Sequence, residues 1–278
     1  YFRSILWRAY PFRVLNRKKD MIDFHVHSTF SDGEEGIEAI IDLAVQKGIT
    51  DLAITDHFDP YDKALSNRDK TGKELLEHFE RIREYTAWKN KNCRIRVLCG
   101  IETCTGMDGR LRLPEECREA CDIIITSPHY VEGDYPFQKG EYGLDAYWEQ
   151  YKKKLLAMAA GDGDVLGHPM GYLPIKPMLG ENTTFWSRQE ICRTICERYF
   201  DREFVRALGE RLYASGKACE LHGATETPAE WIVQSLHEQG VMFSIGSDAH
   251  AMGLLGKNER AEALAAKMGL RIWDGKQK

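Results

Sequence analysis

Ile22-Asp23-Phe24-His25-Val26-His27 is the stretch whose reading decides the fold. It is a short apolar run of β character that ends in side chains with an affinity for metals. The same pattern returns at Leu52–His57, Val97–Glu102, Ile123–His129, Val165–His168, Cys219–His222 and Phe243–His250. Parallel strands covered on both faces read as nearly continuous apolar runs. In a β/α barrel the residue that ends such a strand points at the C-terminal mouth, where active sites of that architecture lie. Closing these seven strand ends into a ring would carry their side chains into one cup, which predicts a multinuclear metal site.

The histidines follow the same rule. Of nine in the chain, His25, His27, His57, His129, His168, His222 and His250 stand at or just after strand ends. His78 and His237 fall within helical patterns and read as ordinary helix-face residues. Between the strands lie amphipathic segments. Ile37, Ile40, Ile41, Ala44 and Val45 share one face of a helix stopped by Gly48. Leu75, Phe79 and Ile82 mark a helix over 73–90, and Tyr147, Tyr151, Leu155 and Met158 another. Strand–helix–strand alternation of this kind builds a parallel sheet. The expectation is an α/β chain, a (β/α)7 TIM-like barrel over 21–278 with no clear eighth unit. Thr227-Pro228 reads as the N-cap and first position of a late helix.

At 278 residues the chain has the usual size of one such barrel. A net charge of -5 gives no reason to expect nucleic acid or an anionic membrane as main partner, and leaves room for a small phosphorylated substrate. No apolar run approaches a membrane span. Eight cysteines sit mostly inside strand and helix patterns. They read as reduced thiols of a cytoplasmic enzyme, with Cys117/Cys121 and Cys192/Cys196 as small buried residues of helices. Residues 1–20 stand apart, with Arg3, Arg8, Arg13, Arg17, Lys18 and Lys19 against Asp20. They read as an N-terminal extension or leader before Met21, or else as a basic, aromatic arm that binds a partner.

Alternate residues of a strand share a face, so His25 and His27 can reach one cation, and Asp248 and His250 repeat that spacing. Mixed imidazole and carboxylate ligands suit zinc, manganese or iron better than magnesium or calcium alone. Glu102 can bridge two ions with its two oxygens. Three loops at the mouth are polar or long: 58–72, 130–143 and 169–188. Their cations Arg68, Lys176 and Arg188 are candidates to hold a phosphate. No Walker A loop, GxSxG elbow or GxGxxG turn competes.

The motifs HVHSTFSDG, AITDHFD, GIE, SPHYVEG, GHP and GSDAH resemble, in order and spacing, those of the PHP (polymerase and histidinol phosphatase) family over most of 22–256. DIIITSPHYVEG followed by a helix and DVLGHP looks most like its histidinol-phosphatase branch. The resemblance implies a distorted seven-stranded barrel and two to three divalent transition metals. His25, His27, Glu102 and Asp248 would hold one; His57, His250 and Asp32 a second; Glu102, His129 and His168 a third. It implies a phosphomonoesterase of histidine biosynthesis that attacks phosphorus with a metal-bridging hydroxide. Two departures stand out. Glu220-Leu221-His222-Gly223 replaces an Asn-containing motif, so His222 reads as a substrate contact, a metal ligand or an acid. The 169–188 insertion does not obviously supply a phosphate-binding Arg. A nucleotide or oligonucleotide substrate and a non-catalytic binding module are the alternatives.

Overall fold

The computed structural model describes residues 12–14, 21–59 and 70–275. Arg68 lies outside the described residues. A two-residue strand, β1 (Phe12–Arg13), precedes β2 (Ile22–Val26). Then α1 (Ile37–Lys47), β3 (Asp51–His57), α2 (Gly72–Lys89), β4 (Arg96–Thr103), a short α3 (Glu115–Ala120) and β5 (Ile123–Thr126) follow. The second half holds α4 (Asp145–Ala160), β6 (Val165–Leu166), α5 (Phe185–Tyr199), α6 (Arg202–Ser215) and β7 (Ala218–His222). It ends with α7 (Glu230–Glu238), β8 (Phe243–Gly246), α8 (Glu259–Met268) and β9 (Ile272–Trp273).

Strands β2 to β8 pair in chain order, each parallel to the next, and curl into a ring. The two ends of that run meet where the Val26 and Ala249 backbones bridge, His27 N–H donating to Ala249 O at 3.0 Å and Ala249 N–H to His25 O at 3.3 Å. Asp23 reinforces the join, accepting from Ser247 N–H at 2.8 Å, Ser247 Oγ at 2.6 Å and Gly256 N–H at 2.8 Å. These seven strands are the ones the apolar runs mark. After α8 the short β9 pairs parallel with β8 and antiparallel with β1, an addition too brief to carry a hydrophobic signal. Arg13 of β1 donates to Asp51 Oδ2 at 2.9 Å.

The helical faces lie as their spacing predicts. Ile37, Ile40, Ile41 and Ala44 of α1, and Leu75, Phe79 and Ile82 of α2, bury together with the outer faces of β3 and β4. Tyr147, Trp148, Tyr151 and Leu155 of α4 bury with Phe200, Phe204 and Leu208. Each fully buried side chain of this size stabilises by about 1.5–3 kcal/mol. One helix start differs from the sequence reading. Helix α7 begins at Glu230 with Ala229 as N-cap, not at Thr227-Pro228. Thr227 is committed elsewhere, because its carbonyl accepts from His222 N–H at 2.8 Å and its hydroxyl meets Thr225 Oγ1 at 2.9 Å.

His78 also departs from its reading as an ordinary helix-face residue. It is buried, with Nε2 3.0 Å from Asp56 Oδ2. Asp56, one residue before the mouth at the end of β3, also accepts from Ser28 N–H at 2.7 Å, Ser28 Oγ at 2.8 Å and Ser31 Oγ at 2.7 Å. Burial opposes ionisation of Asp56, but the His78 bond and charge outweigh it and hold the carboxyl below its ordinary range. A depressed carboxyl adds stability above its unfolded pKa of about 3.9, and that stability is lost as pH falls through the folded value. Asp56→Asn is expected to lower unfolding free energy by about 2 kcal/mol at pH 7, because a buried donor loses its charged acceptor. The deficit should shrink below about pH 4 in denaturant titrations.

Candidate metal centre

The strand ends converge on Glu102, at the end of β4. Its Oε2 lies 3.4 Å from His25 Nε2, 3.5 Å from His27 Nε2 and 3.0 Å from His57 Nδ1. Its Oε1 lies 2.8 Å from His168 Nε2 and 3.1 Å from His129 Nε2. Asp248 faces Glu102 across the cup, its Oδ1 3.1 Å from His27 Nε2 and 3.5 Å from His25 Nε2. Asp248 has φ 54, the left-handed region that non-glycine residues rarely adopt but Asp tolerates best. That turn separates its carboxylate from the strand path and lets His250 follow it into the mouth.

Asp32 closes the outer side. Its oxygens lie 3.3 Å from His250 Nε2, 3.7 Å from His57 Nε2 and 3.8 Å from His27 Nδ1, on the Ser28–Gly33 loop. Gly33 is required there, since a Cβ would stand 2.4 Å from the His27 carbonyl oxygen. Three groups have ligand atoms within 4.8 Å of one another: His25, His27, Glu102 and Asp248; His27, Asp32, His57 and His250; and His57, Glu102 and His129. His168 joins the last through its contact with Glu102 Oε1.

The electrostatics are those of a cation site. Burial works against charge on Glu102, yet His129, His25 and His57 hold its carboxyl well below the ordinary range. Burial would lower His57, but Glu102 and Asp32 lift it to about 9. Burial also opposes ionisation of Asp32, and His250 and His57 bring it down to about 2. His25 Nε2, His27 Nε2 and Asp248 Oδ1 are buried and make no hydrogen bond. Unpaired buried polar atoms are costly, so three of them aimed at one point fit a cation shared among them.

Glu220 is a participant the sequence did not single out. It is fully buried in β7, accepting from His168 N–H at 2.6 Å and standing 2.7 Å from His25 Nδ1. The contact fixes His25 with Nε2 toward the cup. Gly246 makes room for it, because a Cβ there would lie 2.4 Å from His25 Cβ and 2.6 Å from Glu220 Oε1. Glu220→Gln is expected to weaken metal affinity roughly 10–100-fold with the fold retained, measured by competition against a colorimetric chelator. Unchanged affinity would assign Glu220 to packing alone.

His222, at the end of β7, lies inside the cup. Its Nε2 is 3.2 Å from Asp248 Oδ2, and its Nδ1 is 2.6 Å from Thr225 Oγ1. The phosphate-holding candidates separate. Lys176 is exposed on a 3-10 turn, Lys176–Met178. Arg188 reaches inward from α5, its guanidinium 5.6 Å from the Tyr172 ring centroid, with Nη2 donating to Leu173 O at 3.2 Å and Nε buried without a hydrogen bond. Tyr172 lies 5.2 Å from the His222 ring, so Arg188 stands one side chain from the cup. Among the described residues no helix is long and apolar enough to cross a membrane.

The chain resembles known proteins in the same terms. A histidinol phosphate phosphatase from Lactococcus lactis, solved with zinc, L-histidinol and phosphate, superposes with a TM-score of 0.65 at 20% identity, covering 93% of this chain and 99% of that one. A Listeria monocytogenes protein, described as a candidate histidinol phosphatase, gives 0.60 at 15% identity over 86% and 99%. At such identities the likeness establishes the fold. The DNA polymerase/3′-5′ exonuclease PolX of Bacillus subtilis is 26% identical over 233 residues, 84% of this chain, which spans about a third (35%) of that relative. The PHP domain profile matches residues 23–205, more than half the chain and five of the seven ring strands, β2 to β6. With that match and this fold, the chain belongs to the PHP domain family.

Proposed function

We propose that the chain is a metal-dependent phosphomonoester hydrolase of the histidinol-phosphatase kind. The observation that carries the proposal is Glu102, one buried carboxylate with five imidazole nitrogens between 2.8 and 3.5 Å from its oxygens. His25, His27, Glu102 and Asp248 would hold one divalent ion. His57, His250 and Asp32, with His27 beside them, would hold a second. Glu102, His129 and His168 would hold a third. When bound, zinc, manganese or iron supplies Lewis acidity toward phosphoryl oxygens and a nucleophile drawn from water at neutral pH.

The remaining roles belong to the chain itself. Arg188 is the cation proposed to hold the phosphate, since its Nε is buried without a hydrogen bond and its guanidinium covers Tyr172 beside the cup. A guanidinium matches phosphate oxygens with paired donors. Lys176, exposed on its turn, is a second proposal, and Arg68 a third made from the sequence alone. His222 is the proposed proton source for the leaving oxygen. Thr225 fixes its Nδ1, and its Nε2 faces the cup. The alternative, a nucleotide or oligonucleotide phosphate, is the reading that the PolX relative supports.

Phosphate release from L-histidinol phosphate, nucleoside monophosphates, 3′,5′-bisphosphates and an aryl phosphate tests these readings. Selective turnover of L-histidinol phosphate is the expected result. Turnover confined to nucleotides would transfer the site to the alternative. No release after adding zinc, manganese or iron would overturn the hydrolase.

A further inference from the structure

A groove of about 710 Å3 opens beside the cup, between α5, the loop after β7 and the segment before α8. Its size is that of a small-molecule site. It does not stand apart from the proposed metal centre. Tyr172 lies 6.1 Å from the His168 ring and 5.2 Å from the His222 ring. Phe185 lies 6.2 Å from Tyr172, and Trp186 5.4 Å from Phe185. An aromatic wall therefore runs from the metal-facing imidazoles to the groove, which Phe185 and Trp186 line. Thr225, which holds His222 Nδ1, also lines it.

Two further observations say what the groove takes. Trp186 is 75% exposed and Phe185 46%, at the start of α5, so the far end of the wall presents open aromatic faces. Exposure of adjacent large aromatics is uncommon unless something lies on them. The charges of the lining cancel: Arg193, Lys257 and Arg260 stand against Glu197, Glu226 and Glu259. Arg260 lies 3.9 Å from Glu226, and Arg193 pairs with Glu190. A strand of nucleic acid needs an excess of cations along its path, and this lining has none. An uncharged ring needs a flat apolar surface, which it has.

We infer that the groove receives the leaving-group end of the substrate, and that this end is an organic alcohol bearing an uncharged ring, which stacks along the wall formed by Tyr172, Phe185 and Trp186. The inference rests on the hydrolase reading for the phosphate end. It places the leaving oxygen on the His222 side of the cup, with the rest of the alcohol over Tyr172.

The test compares n-pentyl phosphate with 5-phenylpentyl phosphate, whose leaving alcohols have nearly the same acidity, so that the ring is the difference. The wild-type protein and Trp186→Ala are both measured, and Trp186 is exposed enough for that variant to fold. Stacking on aromatic side chains predicts a ratio of kcat/KM, ring to alkyl, about tenfold higher in the wild type than in Trp186→Ala. Calorimetric binding of the matching phosphonates, which cannot be hydrolysed, reads the same preference without turnover. Both esters hydrolysed with a ratio unaltered by Trp186→Ala would overturn the groove and leave the hydrolase standing. No hydrolysis, together with ring-selective phosphonate binding lost in Trp186→Ala, would overturn the hydrolase and leave the groove standing. Equal affinity for the two phosphonates in the wild type would overturn the groove. So would tighter binding of a short single-stranded oligonucleotide than of the ring phosphonate.

Discussion

Glu102→Gln lowers kcat/KM on phosphate esters by about three orders of magnitude and reduces the number of ions bound per chain; that is the largest effect expected of any single substitution here. Glutamine keeps the volume of the side chain and removes its charge. One of the two oxygens that meet the imidazoles becomes an N–H2 donor, placed either against His168 and His129 or against His25, His27 and His57. A unit charge about 4 Å from another is worth roughly 4 kcal/mol at an effective dielectric of 20. Loss of that attraction is about three decades in an equilibrium or a rate. Elemental analysis and steady-state kinetics on the same preparation check the result, with thermal unfolding as a control for folding. A variant that kept its metal content and turnover would show that the carboxylate is a packing element.

Removal of metal is expected to abolish turnover and to lower the thermal midpoint by roughly 10 °C relative to protein with free metal at a thousandfold its dissociation constant. Such binding adds about 4 kcal/mol, and a domain of this size shifts by about 2–4 °C per kcal/mol. The shift should depend on pH, with a definite sign. Burial would lower the pKa values of His25, His57, His168 and His250, but the carboxylates beside them raise all four, His57 to about 9. In the metal-free protein, imidazoles of raised pKa give stability that is complete below about 6.5 and is lost as pH rises through the folded values. Metal ligation requires the neutral imidazole and releases those protons. The stabilisation by metal should therefore grow between about pH 6.5 and pH 9. Scanning calorimetry with and without chelator across that interval checks it. A shift that stayed constant would mean that ligands other than these imidazoles hold the ion.

The ring was legible because a parallel strand covered on both faces has little freedom of composition. The runs ending at His27, His57, Glu102 and His129 coincide with β2 to β5, and their last side chains do meet. Short-range signals were less secure. Thr227-Pro228 has the composition of a helix start, but the Thr227 carbonyl accepts from His222 N–H in a turn folded back on the end of β7, which delays the helix to Glu230. Glu220 was hard to assign for a related reason. A Glu inside an apolar strand faces either the barrel interior or the helices, and its role depends on His25, 195 residues away. His78 looked like one more polar residue on a helix until Asp56 supplied its partner. Lys176 and Arg188 were equivalent as charges in one long loop, and only the path of that loop over Tyr172 separates them. β9 could not be foreseen from two residues whose pairing partners are β8 and β1.

The join between Val26 and Ala249 has a temporal meaning. His25 and His27 belong to the first strand of the ring, and Asp248 and His250 follow its last, yet all four border the same small volume. During synthesis the early histidines would wait, their partners still unmade, while more than two hundred residues are added. A partial chain ending before Asp248 lacks a ligand for the ion that His25 and His27 would share. An ion bound there would act as a clasp across the opening of the ring, fastened only after the last of the seven strands has come round to the first. Metal uptake by a growing or refolding chain would then report closure, and chelation would leave the join to the Val26–Ala249 bridge and Asp23 alone.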